Sequence, residues 1–572
     1  MELIIEGRPV TALPGESLLE LIKRLGLDSS SLSARPLAAD IAGEIFSLNF
    51  VPGNKEGSPA FVIGYRERKA LRDAGGRVSL IRYASSRGRR IYERTMLFVF
   101  FLAVRRLFPE AKVTVNYALG AGLSVSFAGI PSLSEKNILR LKEECLALIR
   151  EDFPLERKRL DVEEAIEHFA SDGQDDKVRM LSWREFTYFD VYKKEDYADY
   201  LYGELAPSSG YVSVFDLIPA EDGVLLLRPD SSCPDRPAPY TPMPRFTAVF
   251  RESRDWGRLM ECETVPDLND CVQSGRIREL IRVNEALHEK KFAGLAADIV
   301  SRGAKAVFIA GPSSSGKTTS ANRLCTQLRV QGKKPTLISL DDYYLDRDLI
   351  PPEPDGSIDL EHIRTIDLAR FGEDLTALLN GGEVELPTFD FTAQKSRPSG
   401  RRVKVSEDAP IVIEGIHGLN PALLPPGLDK DKIYKLFVSA LTTLRLDNHN
   451  RIPTTDMRLL RRLVRDYMTR GASVERTLGM WASVQQGEQR WIFPYQETAD
   501  AIFNTTLVYE LCVLKEHIFP ILQQVGASSP CYDQVRSIIK FLNYVRPASV
   551  DDEIPPTGIL REFIGGNSFY RK

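Results

Sequence analysis

The stretch that most limits what this chain can fold into is Gly311-Pro312-Ser313-Ser314-Ser315-Gly316-Lys317-Thr318-Thr319, entered directly from the uncharged run 306–310. Beyond it, Ala321, Leu324, Cys325 and Leu328 fall at helical spacing. Strand, glycine-framed turn ending in Lys-Thr, then helix is the order of a phosphate-binding loop. Glycines at 311 and 316 admit backbone angles that a Cβ resists, so successive N–H groups can turn inward around phosphate oxygens. The helix adds its positive N-terminal end. Lys317 is placed to reach β- and γ-phosphates, and the Thr318 hydroxyl to ligate Mg²⁺. A nucleoside triphosphate is therefore the first ligand to consider.

Composition bounds the rest. A chain of 572 residues suggests about three or four domains. Hydrophobic content of 43% and charged content of 27% are those of an ordinary globular chain. A net charge of −4 excludes a polycation built for nucleic acid. No apolar run approaches the length of a membrane span; Leu97–Val104 is short and continues into Arg105 and Arg106, so no membrane partner is expected. The start of the chain lacks a basic segment followed by an apolar core, which predicts no signal peptide. Seven scattered cysteines with no C-x-x-C fit reduced thiols and a cytoplasmic location.

Residues 1–62 read as a small unit. Leu3–Val10 has hairpin spacing around Gly7, Ser17–Leu25 has helical spacing, and strand-like pieces follow at Leu37–Asp40 and Glu44–Asn49. This order, with the run PLAADIAGEIFSLNF, resembles the ubiquitin-like TGS domain of threonyl-tRNA synthetases and some GTPases, and any other small β-grasp module shares the pattern. Residues 63–255 read as an α+β domain: a long apolar-faced helix over Arg89–Leu107, strands at Lys112–Tyr117 and Gly122–Phe127, and a helix over Ser134–Glu151. The order resembles the second domain of threonyl- and alanyl-tRNA synthetases, where mischarged tRNA is hydrolysed. That family activity rests on H-x-x-x-H plus later Cys and His ligands. Here Tyr92 and Met96 stand at the corresponding spacing, and His168, Cys145 and Cys233 are too dispersed for a metal cluster. The resemblance implies an inherited fold without the chemistry. Residues 256–303 read as a helical connector, and 304–572 as the P-loop domain with C-terminal helices and a tail.

Within that last domain, Pro335–Leu340 reads as a second strand ending in Asp341-Asp342-Tyr343-Tyr344. A carboxylate there can take a proton from an attacking hydroxyl, or simply cap a turn. A third apolar strand, Pro410–Ile413, ends in Glu414, the arrangement in which an acid orients Mg²⁺. His417 reads as a helix-start residue rather than a ligand. After Asp456, Arg458, Arg461 and Arg465 are spaced i, i+3, i+7 on one helical face, which suits a phosphate-closing lid or a solvated face paired with Asp466.

The runs GPSSSGKTT, SLDDYY, PTFDF, IVIEGIHGLN and NRIPTTDMRLLRRLVRDYMTRG, over about 305–505, resemble the uridine kinase and phosphoribulokinase-like branch of P-loop kinases. The fold implied is a multidomain α/β chain: a doubly wound parallel sheet at the C-terminal end, with the β-grasp and synthetase-like α+β domains before it. The resemblance implies ATP and Mg²⁺, held by residues 311–319 with Thr318 and Glu414 on the metal. It makes Asp341 the base for a small-molecule hydroxyl acceptor, and Lys317, Arg461 and Arg462 the phosphate-facing cations. Tyr344 and Phe389 line the acceptor pocket, and Arg458 and Arg470 are lid or acceptor contacts. Uridine–cytidine kinases carry a His after their Y-D-F that helps read the pyrimidine, whereas Asp390–Arg397 has none. Lys395 and Arg397 suit an anionic acceptor or an exposed hairpin equally. A nucleoside such as uridine is placed ahead of a sugar phosphate or other hydroxyl metabolite.

A different class remains open, an RNA- or ribosome-linked nucleotide-dependent regulator. The synthetase-like front and the basic residues Arg66, Arg68, Lys69, Arg72, Arg82, Arg87, Arg89 and Arg90 point to it. Interleaved Glu67, Asp73 and Glu93 also fit a solvated surface.

Overall fold

In the computed structural model the described residues are 1–52, 65–131, 133–184, 187–353, 358–526 and 528–570, with the side chains of 65–68 and 570 excepted. Contacts divide the chain into two units. The first comprises 1–242 with 264–266 and 445–451, and the second 243–263, 267–444 and 452–572.

In the first unit, strands β1 (Glu2–Ile5) and β2 (Arg8–Thr11) form the expected hairpin, followed by a helix over Leu18–Arg24. Ser17 starts that helix by a reciprocal cap: its Oγ accepts from the Glu20 N–H at 3.2 Å, and its own N–H donates to Glu20 Oε2 at 2.8 Å. Leu18, Leu21 and Ile22 pack into one core with Leu3, Ile5 and Phe46. Next come β3 (Pro36–Ile41), β4 (Glu44–Phe46) and β5 (Arg77–Arg82), and the five strands run β2-β1-β5-β3-β4. The central strand thus comes from beyond residue 62, which corrects the domain end expected there. The break at 62/63 itself lies outside the described residues, as do the Arg66 and Arg68 side chains of the basic group.

The long helix spans Ser86–Leu107, and every residue from Thr95 to Val104 is buried, as an all-round apolar helix requires. It shares a core with β6 (Lys112–Leu119), β7 (Gly122–Ala128) and the helix Glu135–Glu151. Strands β8 (Arg157–Asp161), β9 (Tyr188–Lys194) and β10 (Tyr197–Asp199) form one antiparallel sheet. Strands β11 (Asp216–Ala220) and β12 (Gly223–Leu227) extend β7 and β6 into another.

Tyr92, Met96 and Cys145 are core residues here, and the Tyr92 hydroxyl donates to the Val214 carbonyl at 2.7 Å. Among the described residues no group of three His, Cys, Asp or Glu side chains is placed to hold a metal ion. The polar centre of this unit is supplied by residues 445–451. The His449 ring stacks on Phe101 at 4.0 Å, and Asn450 Nδ2 donates to the Tyr200 carbonyl at 2.8 Å. Lys177, fully buried, stands 2.8 Å from Asp199 and 3.5 Å from Asp447. A buried ammonium needs such carboxylates, because an unpaired charge there costs several kcal/mol, on the order of 3 or more.

In the second unit, strands β13 (Ala306–Ala310), β14 (Thr336–Ser339), β17 (Ile411–Glu414), β18 (Ile433–Ser439) and β19 (Ala501–Asn504) form an all-parallel sheet of order β14-β17-β13-β18-β19. β15 (Glu383–Asp390) and β16 (Lys395–Lys404) form a separate antiparallel hairpin. The register sets Ser339 and Ile309 beside Glu414 at the C-terminal edge of the sheet, so the first three strands end level with one another. That edge is where open α/β sheets bind ligands. The expected connector is two helices, Val265–Ser274 and Ile277–Ser301. The second docks on the P-loop helix Lys317–Val330 through Arg323, whose guanidinium pairs with Glu285 and Glu289.

Candidate active site

The loop after β13 has the geometry its glycines demand. A Cβ on Gly311 would lie 2.0 Å from the Val438 carbonyl oxygen, and Gly316 sits at φ +84°. Ser314, a non-glycine, is held at φ +57°. Such a residue persists only where its surroundings over-determine it. The surroundings are carbonyl contacts: Ser313 O accepts from Arg458 Nη1 at 3.1 Å, Ser314 O from Arg461 Nη1 at 3.5 Å, and Ser315 O from the Thr505 hydroxyl at 2.6 Å. In a trans peptide the carbonyl and the following N–H point opposite ways. Tying these carbonyls down on one side therefore turns the Ser314 and Gly316 N–H groups to the other, where an anion would sit. Lys317 Nζ donates to Pro312 O at 3.1 Å and folds over the same loop.

Two acids face this cradle. Glu414 is 4% exposed; its Oε1 accepts from Ser339 Oγ at 3.0 Å and lies 3.4 Å from Thr318 Oγ1. Burial, and then the charge of Asp341, push its pKa up to about 7, against the opposing Lys317 ammonium. A buried carboxylate beside a hydroxyl is a donor set that fits Mg²⁺. Asp341 opens the turn after β14, its N–H donating to Ser339 Oγ at 3.3 Å. The surrounding protein raises its pKa, Lys317 lowers it and Asp342 raises it again. Its solvent-open position limits that rise.

The helix Thr454–Arg470 splits its arginines into two sets. Arg458 and Arg461 lie buried behind the P-loop, Arg458 paired with Glu488 (Nη2 to Oε2, 2.7 Å) and Arg461 with Glu510 (Nε to Oε2, 2.8 Å). Arg462, Arg465 and Arg470 instead gather on one carboxylate, with nitrogens 3.3, 2.8 and 3.8 Å from Asp466. Arg462 also donates to Ser313 Oγ at 2.9 Å. Three guanidinium groups on one carboxylate leave an excess of positive charge beside the loop.

Tyr344 and Phe389 meet edge to face at 5.6 Å, and Phe391 joins them at 5.1 Å from Phe389. Arg397 lies on the hairpin, its side chain 56% exposed and 2.9 Å from Asp390. The structure thus gathers Lys317, Thr318, Asp341, Glu414 and Arg462 around the P-loop, and leaves Arg397 on an exposed strand in an ion pair of its own.

Three functional candidates, Glu488, Glu562 and Glu361, carry no local signal in the sequence. Glu488 holds the Ser313 N–H at 2.9 Å across 175 residues of chain, and Glu562 holds Thr319 across 243. Burial and the nearby Glu488 push the carboxyl of Glu361 up to about 7. His417 is 1% exposed in the turn after β17, beside the backbone of Glu361. Burial lowers its pKa to about 4, so the ring is neutral.

The family model of the phosphoribulokinase/uridine kinase family matches residues 306–510. A uridine kinase of Staphylococcus haemolyticus is 31% identical over 195 residues, 34% of this chain and 84% of that protein. A uridine kinase of Halobacterium salinarum is 30% identical over 199 residues, 34% of this chain and 78% of that protein. The N-terminal part is similar to threonine–tRNA ligases. That of Desulforamulus reducens is 26% identical over 205 residues, and the chain spans only 29% of its length.

Proposed function

The chain belongs to the phosphoribulokinase/uridine kinase family through its C-terminal part, and from that premise we propose that it transfers the γ-phosphate of ATP to a hydroxyl of a small molecule, with a nucleoside such as uridine as the favoured acceptor. The observation that carries this reading is the meeting of Lys317, Thr318, Glu414 and Asp341 at one edge of the parallel sheet. Asp341 accepts the proton of the acceptor hydroxyl as the oxygen attacks the γ-phosphorus, and the bond from that phosphorus to the β–γ bridging oxygen breaks to release ADP. Lys317 and the arginines around Asp466 offset the charge carried by the transferring group, in a site held rigid before reaction. Thr318 and Glu414 would hold Mg²⁺, which supplies further neutralisation of the phosphate oxygens when bound. The P-loop N–H groups orient the triphosphate, so most of the rate comes from positioning.

Acceptor choice rests on the aromatic group Tyr344, Phe389 and Phe391, which suits a flat, uncharged ring. A sugar phosphate is the alternative, and Arg397 and Lys395 are the cations it would recruit. Asp341→Asn protein should bind a non-hydrolysable ATP analogue and transfer no phosphate; full turnover by that variant would remove Asp341 from the role of base. A thermal-shift screen of nucleosides and sugar phosphates, with the analogue and Mg²⁺ present, ranks the acceptors.

Similarity to threonine–tRNA ligases supports a second reading, RNA binding by the N-terminal part. Two of its basic residues are already in ion pairs, Arg87 with Asp40 at 2.6 Å and Arg82 with Glu6 at 3.6 Å. A filter-binding titration with tRNA across salt concentrations tests it, and negligible binding at low salt would sink it.

A further inference from the structure

The residues near the C-terminus, Ile559–Asn567, lie on the start of the P-loop helix. Glu562 Oε2 accepts from both donors of Thr319, the hydroxyl at 2.7 Å and the backbone N–H at 3.2 Å. Asn567 Nδ2 donates to the same hydroxyl oxygen at 3.3 Å. Ile559 covers Gly316 so closely that a Cβ there would meet its Cγ2 at 2.9 Å. The segment is anchored. Phe563 lies under the Arg461 guanidinium at 5.1 Å, and Arg561 Nη2 donates to the Ile554 carbonyl at 3.0 Å.

The chemistry of this contact is that of an anion at a helix N-terminus. The first N–H groups of a helix have no partner within it, and together with a nearby hydroxyl they hold phosphate oxygens in P-loop proteins. Thr319 is the third residue of its helix, and both its donors are already taken by a carboxylate. A phosphate group arriving at Thr319 needs the same two donors and brings negative charge of its own.

We propose that Glu562 is a tethered competitor for the phosphate donors of Thr319, so that nucleotide binding displaces Glu562 and releases Ile559–Asn567 from the P-loop helix. The inference rests on the kinase reading above. A competitor on the same chain acts at a high effective concentration, so its strength sets the apparent nucleotide affinity.

The test is a binding titration of full-length wild type, Glu562→Gln and Glu562→Ala with ADP, a non-hydrolysable ATP analogue and adenosine. Both variants should bind ADP and the analogue about tenfold or more tightly, the size of one charge-assisted hydrogen bond, with adenosine affinity unchanged. In the wild type, ADP should increase amide hydrogen exchange across Ile559–Asn567, a readout that needs no variant. Equal or weaker ADP binding by the variants, with wild type binding normally, would overturn the competitor role and make the carboxylate a bystander or a part of the nucleotide site. Unchanged exchange in Ile559–Asn567 at saturating ADP would overturn it as well. If neither wild type nor variants bind any nucleotide, the kinase reading itself fails, and this inference with it.

Discussion

Arg458 and Glu488 form a buried pair, each 1% exposed, in which the same Glu488 oxygen that takes Arg458 Nη1 also accepts the Ser313 N–H at 2.9 Å. One carboxylate therefore ties the arginine helix and the helix Val474–Trp491 to the P-loop backbone.

Breaking this pair from either side strands a buried charge. Arg458→Met and Glu488→Gln should each destabilise the protein by about 3 to 5 kcal/mol, more than a surface pair could. Urea unfolding followed by circular dichroism measures it, and a loss below about 1 kcal/mol would show that water replaces the missing partner.

Asp466 carries a different load. It draws Arg462, Arg465 and Arg470 together beside the loop. Asp466→Asn keeps the shape and removes the charge that holds three like charges in place. The turnover rate should fall by about 10²-fold, as for loss of one preorganised donor, with AMP affinity unaffected and ATP affinity altered. A change that scales equally for AMP and ATP would instead mean general loosening of the helix.

The strands and the P-loop were legible because their signals are local. The glycines at 311 and 316, the apolar runs before Asp341 and Glu414, and the spacing at Ser17–Leu25 each report on neighbouring residues. The arginines were legible as a helical face but not in their division. Which of them lies behind the loop depends on Glu488 and Glu510, acids in later helices with no fixed offset from it. Likewise β5 joins the first sheet from beyond the expected domain end, because parallel pairing with β1 is a long-range choice that alternation in Arg77–Arg82 does not reveal. Residues 445–451 read as part of the kinase sequence, yet they complete the core of the other unit through the buried pairing of Lys177 and Asp447.

Glu361 gives a pH dependence whose sign is fixed. Burial, and then the neighbouring Glu488, raise its pKa from 4.5 to about 7, while Arg462 and Lys317 oppose the shift. Between those values the folded chain keeps a proton that the unfolded chain has lost. This group's contribution to stability is thus fully present below the unfolded value and is lost as pH rises through about 7. Glu414 shifts in the same direction. Glu361→Gln should therefore flatten, without abolishing, the fall in unfolding free energy seen by urea titration across this range. An unchanged slope would place the Glu361 carboxyl in contact with water.

Arg397 separates the two acceptor classes. It stands 2.9 Å from Asp390 with most of its side chain in solvent, an arrangement that contributes little to stability, about 0 to 1 kcal/mol. Arg397→Ala should leave the melting temperature and the KM for ATP unchanged. If the acceptor is an uncharged nucleoside held by Tyr344 and Phe389, its KM should also stay within about twofold, since no charge-assisted bond is lost. If the acceptor carries a phosphate that draws Arg397 away from Asp390, its KM should rise by about tenfold or more at constant turnover rate. Steady-state kinetics on the best acceptor from the thermal-shift screen decides between them, and the second outcome would move the reading from a nucleoside to a sugar phosphate.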